Sequence, residues 1–235
     1  MSADLLVPAR FNGPARSGNG GFVAGSLAQR VPDADGRPVE VTLRRPPPLD
    51  RAMTVHEEPG AAALSDGPDL VAEARAVDLD LEAVEGVAPD VAGEAMLGYP
   101  GRSGHPFPTC FACGPDRAEG DGLRIFPGPV GGVRGHVASL WVPAETHAGA
   151  AVAWAALDCV GGWSEDLEGR PCVLGRMTAR LDALPVVGEP HVVVGRHLGT
   201  EGRKSFTAST LYDADGRVVA AARHTWIQVD PAAFN

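Results

Sequence analysis

The residues best suited to catalysis or binding lie in or next to two stretches rich in alanine and glycine, Phe22–Val31 and Ala150–Trp163. Asp158 is the only acidic residue inside either stretch, and its neighbours Trp154 and Leu157 are apolar. A carboxylate in such surroundings can act as a general base or as a nucleophile, and burial raises its pKa unless hydrogen-bond donors meet it. The other interpretation of Asp158 is a core acid that only hydrogen-bonds its neighbours.

Glycines mark the start of both stretches. The first N–H groups of a helix lack partners within the helix and carry partial positive charge, so they can bind an oxygen that becomes negative during a reaction. Gly20 and Gly21 are placed for this role, and Gly149 is a further candidate, because glycine allows a ligand to approach closely. The glycines can equally serve helix–sheet packing, and Asn19 is an ordinary N-cap residue.

The spacing of apolar residues predicts the elements that position these groups. Phe22–Val31 and Ala150–Trp163 have helical periodicity with small residues between the larger ones, which favours burial under a sheet. The predicted strands of the second half are Leu123–Phe126, Val133–Trp141, Val173–Leu184, Pro190–Gly199, Lys204–Asp213 and Val218–Asp230. A helix followed by four strands without helical crossovers excludes a parallel sheet. The fold class is therefore predicted as α+β, with two long helices wrapped by antiparallel sheet.

The first half is predicted to be less complete. Its expected strands are Val39–Leu43, Arg51–Glu57 and Leu70–Val77, which is too few for a full sheet. A linker rich in proline and glycine, YPGRSGHPFP, gives a boundary over residues 99–109. We expect an incomplete N-terminal half over residues 1–98 and a complete C-terminal half over residues 110–235.

Composition excludes several classes of protein. The 235 residues carry a formal net charge of −10, which disfavours binding to nucleic acid. No apolar run reaches the ~18–20 residues that span a bilayer. The N-terminus has no features of a secretion signal, so a cytoplasmic location is expected.

Four cysteines are present, and two of them form a Cys-x-x-Cys motif at Cys110 and Cys113, with His105 upstream. One such motif is weak evidence for metal, because structural zinc needs four ligands. Cys159 and Cys172 could complete the set only if the fold brought them near. Cys159 is expected to lie in a helix beside Asp158, so we predict two semi-buried thiols and no metal.

Three stretches resemble the hotdog-fold thioesterases of the acyl-CoA and phenylacetate-pathway type: CFACGPDRAEGDGLRI, the helix VAWAALDCVGGW, and the final strands from Leu181 to Val229. Together they cover Cys110 to Val229, about half of the chain. The first half matches more weakly, through GNGGFVAGSLA. This resemblance implies a double hotdog, in which one chain supplies both units of what is otherwise a dimer.

The resemblance implies hydrolysis of an acyl-CoA or a related acyl thioester, with coenzyme A as part of the substrate and no separate cofactor. The family often carries His-Gly-Gly about nine residues before the helix acid. Nine residues before Asp158 stands Gly149, with His147 two residues earlier, so His147 departs from the pattern. Asn19 occupies the histidine position in the first half, where the acid position is Ala28. The two halves are complementary, and one composite site per chain is predicted.

Arg203 and Lys204, in the turn EGRKSF, are candidates to bind the phosphates of coenzyme A, or else they form a solvated hairpin. The predicted partners are thus a small-molecule acyl thioester and a second copy of the chain in a homodimer, with no nucleic acid and no membrane span. Two other functions stay open. One is a non-catalytic acyl-binding protein of the same fold, and the other is a dehydratase or isomerase that would pair His147 with Asp158.

Overall fold

The computed structural model describes residues 4–133 and 135–234. Within these residues, eleven strands form one sheet in which every neighbouring pair is antiparallel. The strands are β1 Asp4–Leu6, β2 Val39–Leu43, β3 Ala52–Glu58, β4 Ala61–Asp66, β5 Asp69–Ala76, β6 Gly128–Pro129, β7 His136–Trp141, β8 Cys172–Leu181, β9 His191–Glu201, β10 Lys204–Tyr212 and β11 Val218–Gln228. The helices are α1 Gly20–Ala28, α2 Pro89–Leu97, α3 Gly101–Gly104 and α4 Ala150–Trp163.

The sheet contains the same strand order twice. In the first half the order is β1-β3-β4-β5-β2, and in the second half it is β7-β9-β10-β11-β8, with β6 added at the edge. In each half a central helix follows the first strand, α1 after β1 and α4 after β7. The halves join where β2 pairs with β8, from Val39 opposite Ala179 to Thr42 opposite Arg176. The chain is therefore a repeat in topology, although not in sequence.

The prediction that the first half lacks strands is wrong. It has five strands, two of which, β1 and β4, were not predicted. The helix predicted over Phe22–Val31 begins two residues earlier and ends at Ala28, so it has nine residues and the prediction of two long helices is not confirmed. The helix predicted over Ala150–Trp163 is confirmed with the same bounds. Residues 123–126 form no strand.

Glycine allows α1 and α4 to cross in close contact at the centre of the molecule. A Cβ added to Gly21 would lie 2.4 Å from the Cβ of Asp158, and one added to Gly25 would lie 2.8 Å from the Cα of Ala151. Residues later in α1 thus meet residues earlier in α4, so the two helices run antiparallel. The start of α1 faces the C-terminal half of α4, as the composite site requires.

The predicted linker and the residues after it pack into the core. Tyr99, Phe107 and Phe111 are all buried. The backbone N–H of Phe111 donates to the carbonyl of Asn12 at 2.7 Å, which ties this segment to the residues before α1. The 99–109 boundary stays a prediction. Among the described residues, no helix has the length and apolar character needed to cross a membrane.

Candidate active site at the crossing of the two central helices

Asp158 lies in the last part of α4, and its side chain reaches the start of α1. Its Oδ2 accepts a hydrogen bond of 2.8 Å from the backbone N–H of Gly21. The side chain is 2 % exposed, and Oδ1 has no hydrogen-bond partner among the described residues. The structure therefore brings together the acid and the helix start that were predicted to form a composite site.

Burial has the largest effect on the pKa of this acid. It raises the pKa of Asp158 to about 8, while the hydrogen bond from Gly21 and the side chain of Asn19 act in the opposite direction. The bond to Asp158 also changes the expected role of Gly21. Its N–H is engaged by the carboxylate, whereas the N–H of Gly20 is not paired with any described residue. Of the two glycines, Gly20 is the one whose amide can meet a ligand.

A cavity of about 310 Å³ adjoins this crossing. Asp158, Gly20 and Asn19 line it from the polar side. Its wall is otherwise mainly apolar, with contributions from both halves: Leu43, Phe107, Trp163, Leu174 and Trp226. A space of this size and lining can hold a small apolar group next to a carboxylate and a backbone amide.

Asn19 has two functions at this cavity. Its Oδ1 accepts a hydrogen bond of 2.8 Å from the N–H of Phe22, which confirms that it is the N-cap of α1. Its amide group donates to the sulfurs of Cys110 and Cys159, at 3.8 Å each. Contact between Asn19 and a substrate stays a prediction.

The fold brings Cys159 next to the Cys-x-x-Cys motif, although the prediction of no metal assumed that its place in a helix would keep it away. The Sγ atoms of Cys110, Cys113 and Cys159 all lie within 4.8 Å of one another, and all three side chains are buried. The Sγ atoms of Cys110 and Cys159 are 3.7 Å apart. His105 adjoins the group, with Nε2 3.2 Å from the Sγ of Cys113. The fourth cysteine, Cys172, is not part of this cluster.

The three thiols differ in acidity because they hydrogen-bond to one another. Hydrogen bonding with Cys113 and Cys159 lowers the pKa of Cys110 well below its usual value. The pKa of Cys113 is raised by burial, and that of Cys159 mainly by its hydrogen bonds within the group. The sequence motif predicted two of these residues, but nothing local in the sequence predicts the third.

His147 and Gly149 lie at the start of α4, and neither is among the residues that line the cavity. The ring of His147 is buried and packs edge-on against Phe111, with 5.8 Å between centroids. Burial lowers the pKa of His147. The structure thus does not place His147 in the cavity that Asp158 lines, which weakens the dehydratase or isomerase interpretation.

Arg203 and Lys204 differ in their position relative to the cavity. Arg203, in the turn between β9 and β10, lines the cavity, whereas Lys204 begins β10 with an exposed side chain and does not. Two arginines that were not predicted, Arg44 and Arg45, line the cavity from the end of β2. Both of these form ion pairs, whereas Arg203 forms none with any described residue.

Comparison with solved structures identifies the fold. The chain aligns with a candidate thioesterase from Novosphingobium aromaticivorans at a TM-score of 0.61 and 13% identity, over 97% of this chain and 95% of that one. It aligns with the tesB protein of Mycobacterium avium subsp. paratuberculosis at a TM-score of 0.58 and 11% identity, over 96% and 91%. A hotdog-fold protein of unknown function from Alicyclobacillus acidocaldarius gives 0.56 and 13%, over 98% and 93%.

These alignments show that the chain has the hotdog fold, as the resemblance implied. At 11% to 13% identity they carry no conclusion about activity. No protein-family model matches the sequence. No functionally curated protein matches it either.

Proposed function

We propose that the protein is a hydrolase of acyl thioesters with a single composite site per chain. The observation that carries this proposal is the contact between Asp158 of α4 and the N-terminal turn of α1 at an apolar cavity. A carboxylate, an unpaired helix-start amide and a space for an acyl group are the three elements that thioester hydrolysis needs. The thioesterase-like fold of the aligned structures agrees with the proposal.

The geometry supports a division of roles. The N–H of Gly20 would hydrogen-bond the carbonyl oxygen of the thioester as it becomes negative. The hydrogen bond from Gly21 fixes the Asp158 carboxyl group through Oδ2. In the ionised form, which dominates only above a pH of about 8, Oδ1 is left to accept a proton from an attacking water. Water then adds to the carbonyl carbon, the carbon–sulfur bond breaks, and the thiol leaves with a proton.

The substrate class rests on charge at the edge of the cavity. Arg203 is a cation without an ion pair to any described residue, beside a cavity that can hold an acyl chain. A coenzyme A thioester combines an acyl chain with phosphates, so an acyl-CoA would use both features. Lys204 was also predicted to bind the phosphates of coenzyme A. It is not expected to do so, because its side chain does not line the cavity.

The repeated strand order leads us to propose that the two halves are two hotdog units in one chain. The first unit spans residues 4–76 and the second 136–228, with α2, α3 and the cysteine-containing segment between them. The site uses α1 from one unit and α4 from the other. The homodimer predicted from the sequence is therefore not needed to complete it.

One observation favours a second function, a non-catalytic acyl-binding protein. The N–H of Gly21 and Oδ2 of Asp158 are hydrogen-bonded to each other, as they would be if the pair only fixed the helix crossing. In that case the cavity binds a ligand without turnover.

Thiol release from a series of acyl-CoA esters separates the two functions. The hydrolase proposal predicts turnover by the wild-type protein and a loss of ~10²–10⁴-fold in kcat for Asp158→Asn, since a general base contributes about that much. Asp166→Asn, on the loop after α4, is a matched control and should retain wild-type turnover. No turnover of any ester, with saturable binding of a non-hydrolysable acyl-CoA analogue, would support the binding protein. Full activity in Asp158→Asn would reject the role of that residue.

A further inference from the structure

The cysteine cluster has the ligand types and spacing of a metal site. Zinc is bound by thiolate sulfur at about 2.3 Å in tetrahedral geometry, which places two sulfur ligands about 3.8 Å apart. The Sγ atoms of Cys110 and Cys159 are 3.7 Å apart, and that of Cys113 lies within 4.8 Å of both. Movements of about 1 Å or less would bring three sulfurs to one ion.

The turn that carries two of these cysteines is fixed by its own backbone. The N–H of Gly114 donates to the carbonyl of Cys110 at 2.8 Å, and the N–H of Cys110 donates to the carbonyl of Phe107 at 2.9 Å. A Cβ added to Gly114, the next residue, would lie 2.4 Å from the carbonyl oxygen of Pro108 and 2.5 Å from the N of Cys110. These are backbone atoms that cannot move aside, so the tight turn requires glycine at this position.

The groups around the sulfurs are hydrogen-bond donors. The amide of Asn19 donates to Cys110 and Cys159, and Nε2 of His105 lies 3.2 Å from the sulfur of Cys113. Donors of this kind stabilise negatively charged sulfur, and three buried thiolates without a cation would repel one another strongly. A divalent cation among them compensates this charge.

We propose that Cys110, Cys113 and Cys159 bind one Zn²⁺ ion as thiolates. The site joins the loop segment between the repeats to α4, and through Asn19 to the N-cap of α1. This proposal reverses the prediction of no metal that was made from the sequence. It does not depend on the proposed hydrolase activity, because an acyl-binding protein with the same residues would hold the same ion.

His105 is the nearest further ligand type, but its present hydrogen bonds assign it another role. Its Nδ1 accepts a hydrogen bond of 2.9 Å from the N–H of Phe107. A neutral ring that accepts at Nδ1 carries its proton on Nε2, which lies 3.2 Å from the sulfur of Cys113. His105 therefore donates to a ligand sulfur rather than coordinating the ion. The fourth coordination position is left to the cavity, which all three cysteines line.

The first test uses the wild-type chain and no substitution. Purified protein, treated with a chelator and reconstituted with Zn²⁺, should retain about one equivalent per chain after gel filtration. With Co²⁺ it should develop visible absorption of tetrahedral cobalt and near-ultraviolet charge transfer from thiolate. Zinc retention below about 0.2 equivalents, or a disulfide between Cys110 and Cys159 in the reduced preparation, would overturn the proposal.

Cysteine variants supply a matched comparison. Cys113→Ser and Cys159→Ser should each lower Zn²⁺ affinity by 100-fold or more and weaken the cobalt charge-transfer band. Cys172→Ser is the control, because Cys172 is also buried and borders the same cavity but lies outside the cluster. Equal zinc retention in all three variants would overturn the proposal.

The role of His105 can be measured separately. His105→Gln should retain the ion with affinity lowered about 10–100-fold, as for the loss of a group that supports a ligand. Addition of a small thiol to the cobalt-loaded protein should change the visible spectrum, because the thiol can occupy the open position. Complete loss of Co²⁺ binding in His105→Gln would overturn the open position and make His105 the fourth ligand.

Discussion

Gly21→Ala tests whether the contact between α1 and α4 depends on glycine. The added Cβ would lie 2.4 Å from the Cβ of Asp158, 2.6 Å from the carbonyl oxygen of Trp154 and 3.0 Å from the Cα of Ala155. Non-bonded carbon atoms pack at about 3.5–4.0 Å, so the helices would have to separate by about 1 Å. Two of the three obstacles are backbone atoms of α4, which cannot rotate away.

The expected cost follows from two opposing effects. Overpacking of a buried contact typically costs about 1–3 kcal/mol. Alanine is intrinsically favoured over glycine in a helix by about 1 kcal/mol, but less at the first turn, where Gly21 lies. The separation would also lengthen the hydrogen bond from Gly21 to Asp158. We expect Gly21→Ala to lower the free energy of unfolding by roughly 2 kcal/mol.

Urea denaturation of the wild type, Gly21→Ala and Gly93→Ala measures this effect. Gly93→Ala is the matched control, since Gly93 lies inside α2 and its added Cβ would meet no atom within 4 Å. Gly93→Ala should raise the free energy of unfolding by about 0.5–1 kcal/mol. Opposite shifts of the urea midpoint at similar slope would support the packing argument. A Gly21→Ala protein as stable as the wild type would refute it.

Two further predictions concern other parts of the molecule. Burial lowers the pKa of His224 to about 4 from 6.5, so the folded state keeps the ring neutral while the unfolded chain binds a proton. Stability is then lost as the pH falls from about 6.5 to 4, by roughly 3 kcal/mol. Urea titrations at several pH values should show a flatter dependence for His224→Gln, and identical dependences would contradict the assignment. In steady-state kinetics, Arg203→Met should raise KM for an acyl-CoA with kcat nearly unchanged, while Lys204→Met should change neither. Equal effects of both substitutions would indicate a general charge effect.

The parts of the fold that the sequence predicts are those with strong local patterns. Alternation and turn residues gave the last four strands to within a few residues, and small-residue periodicity gave α4. The strand Ala61–Asp66 was missed because three of its six residues are alanine, which has low strand propensity. The strand Asp4–Leu6 has only three residues and exists through its pairing with β3. Both depend on long-range partners that a local pattern does not contain.

The same distinction applies to the site. Asp158 and the glycines of α1 were predicted because each stands out within its own segment, and the repeat suggested that they meet. The position of Cys159 beside Cys110 was not predicted, because the two lie 49 positions apart and come together only when the loop segment that contains Cys110 packs against α4. Gly21 was predicted as a free donor, but its N–H is engaged by Asp158, a contact that depends on the exact depth of the crossing.

The antiparallel crossing of α1 and α4 relates the two repeats by an approximate twofold axis. Because both repeats belong to one chain, their sequences can differ. In a symmetric dimer, an acid on the helix would necessarily appear at both ends of the crossing. Here only one end of the crossing has Asp158, and Ala28 stands at the related position in α1. If the proposed site binds the ligand, a titration should therefore saturate at one equivalent per chain along a simple hyperbola, because the described residues place an acid at only one end of the crossing.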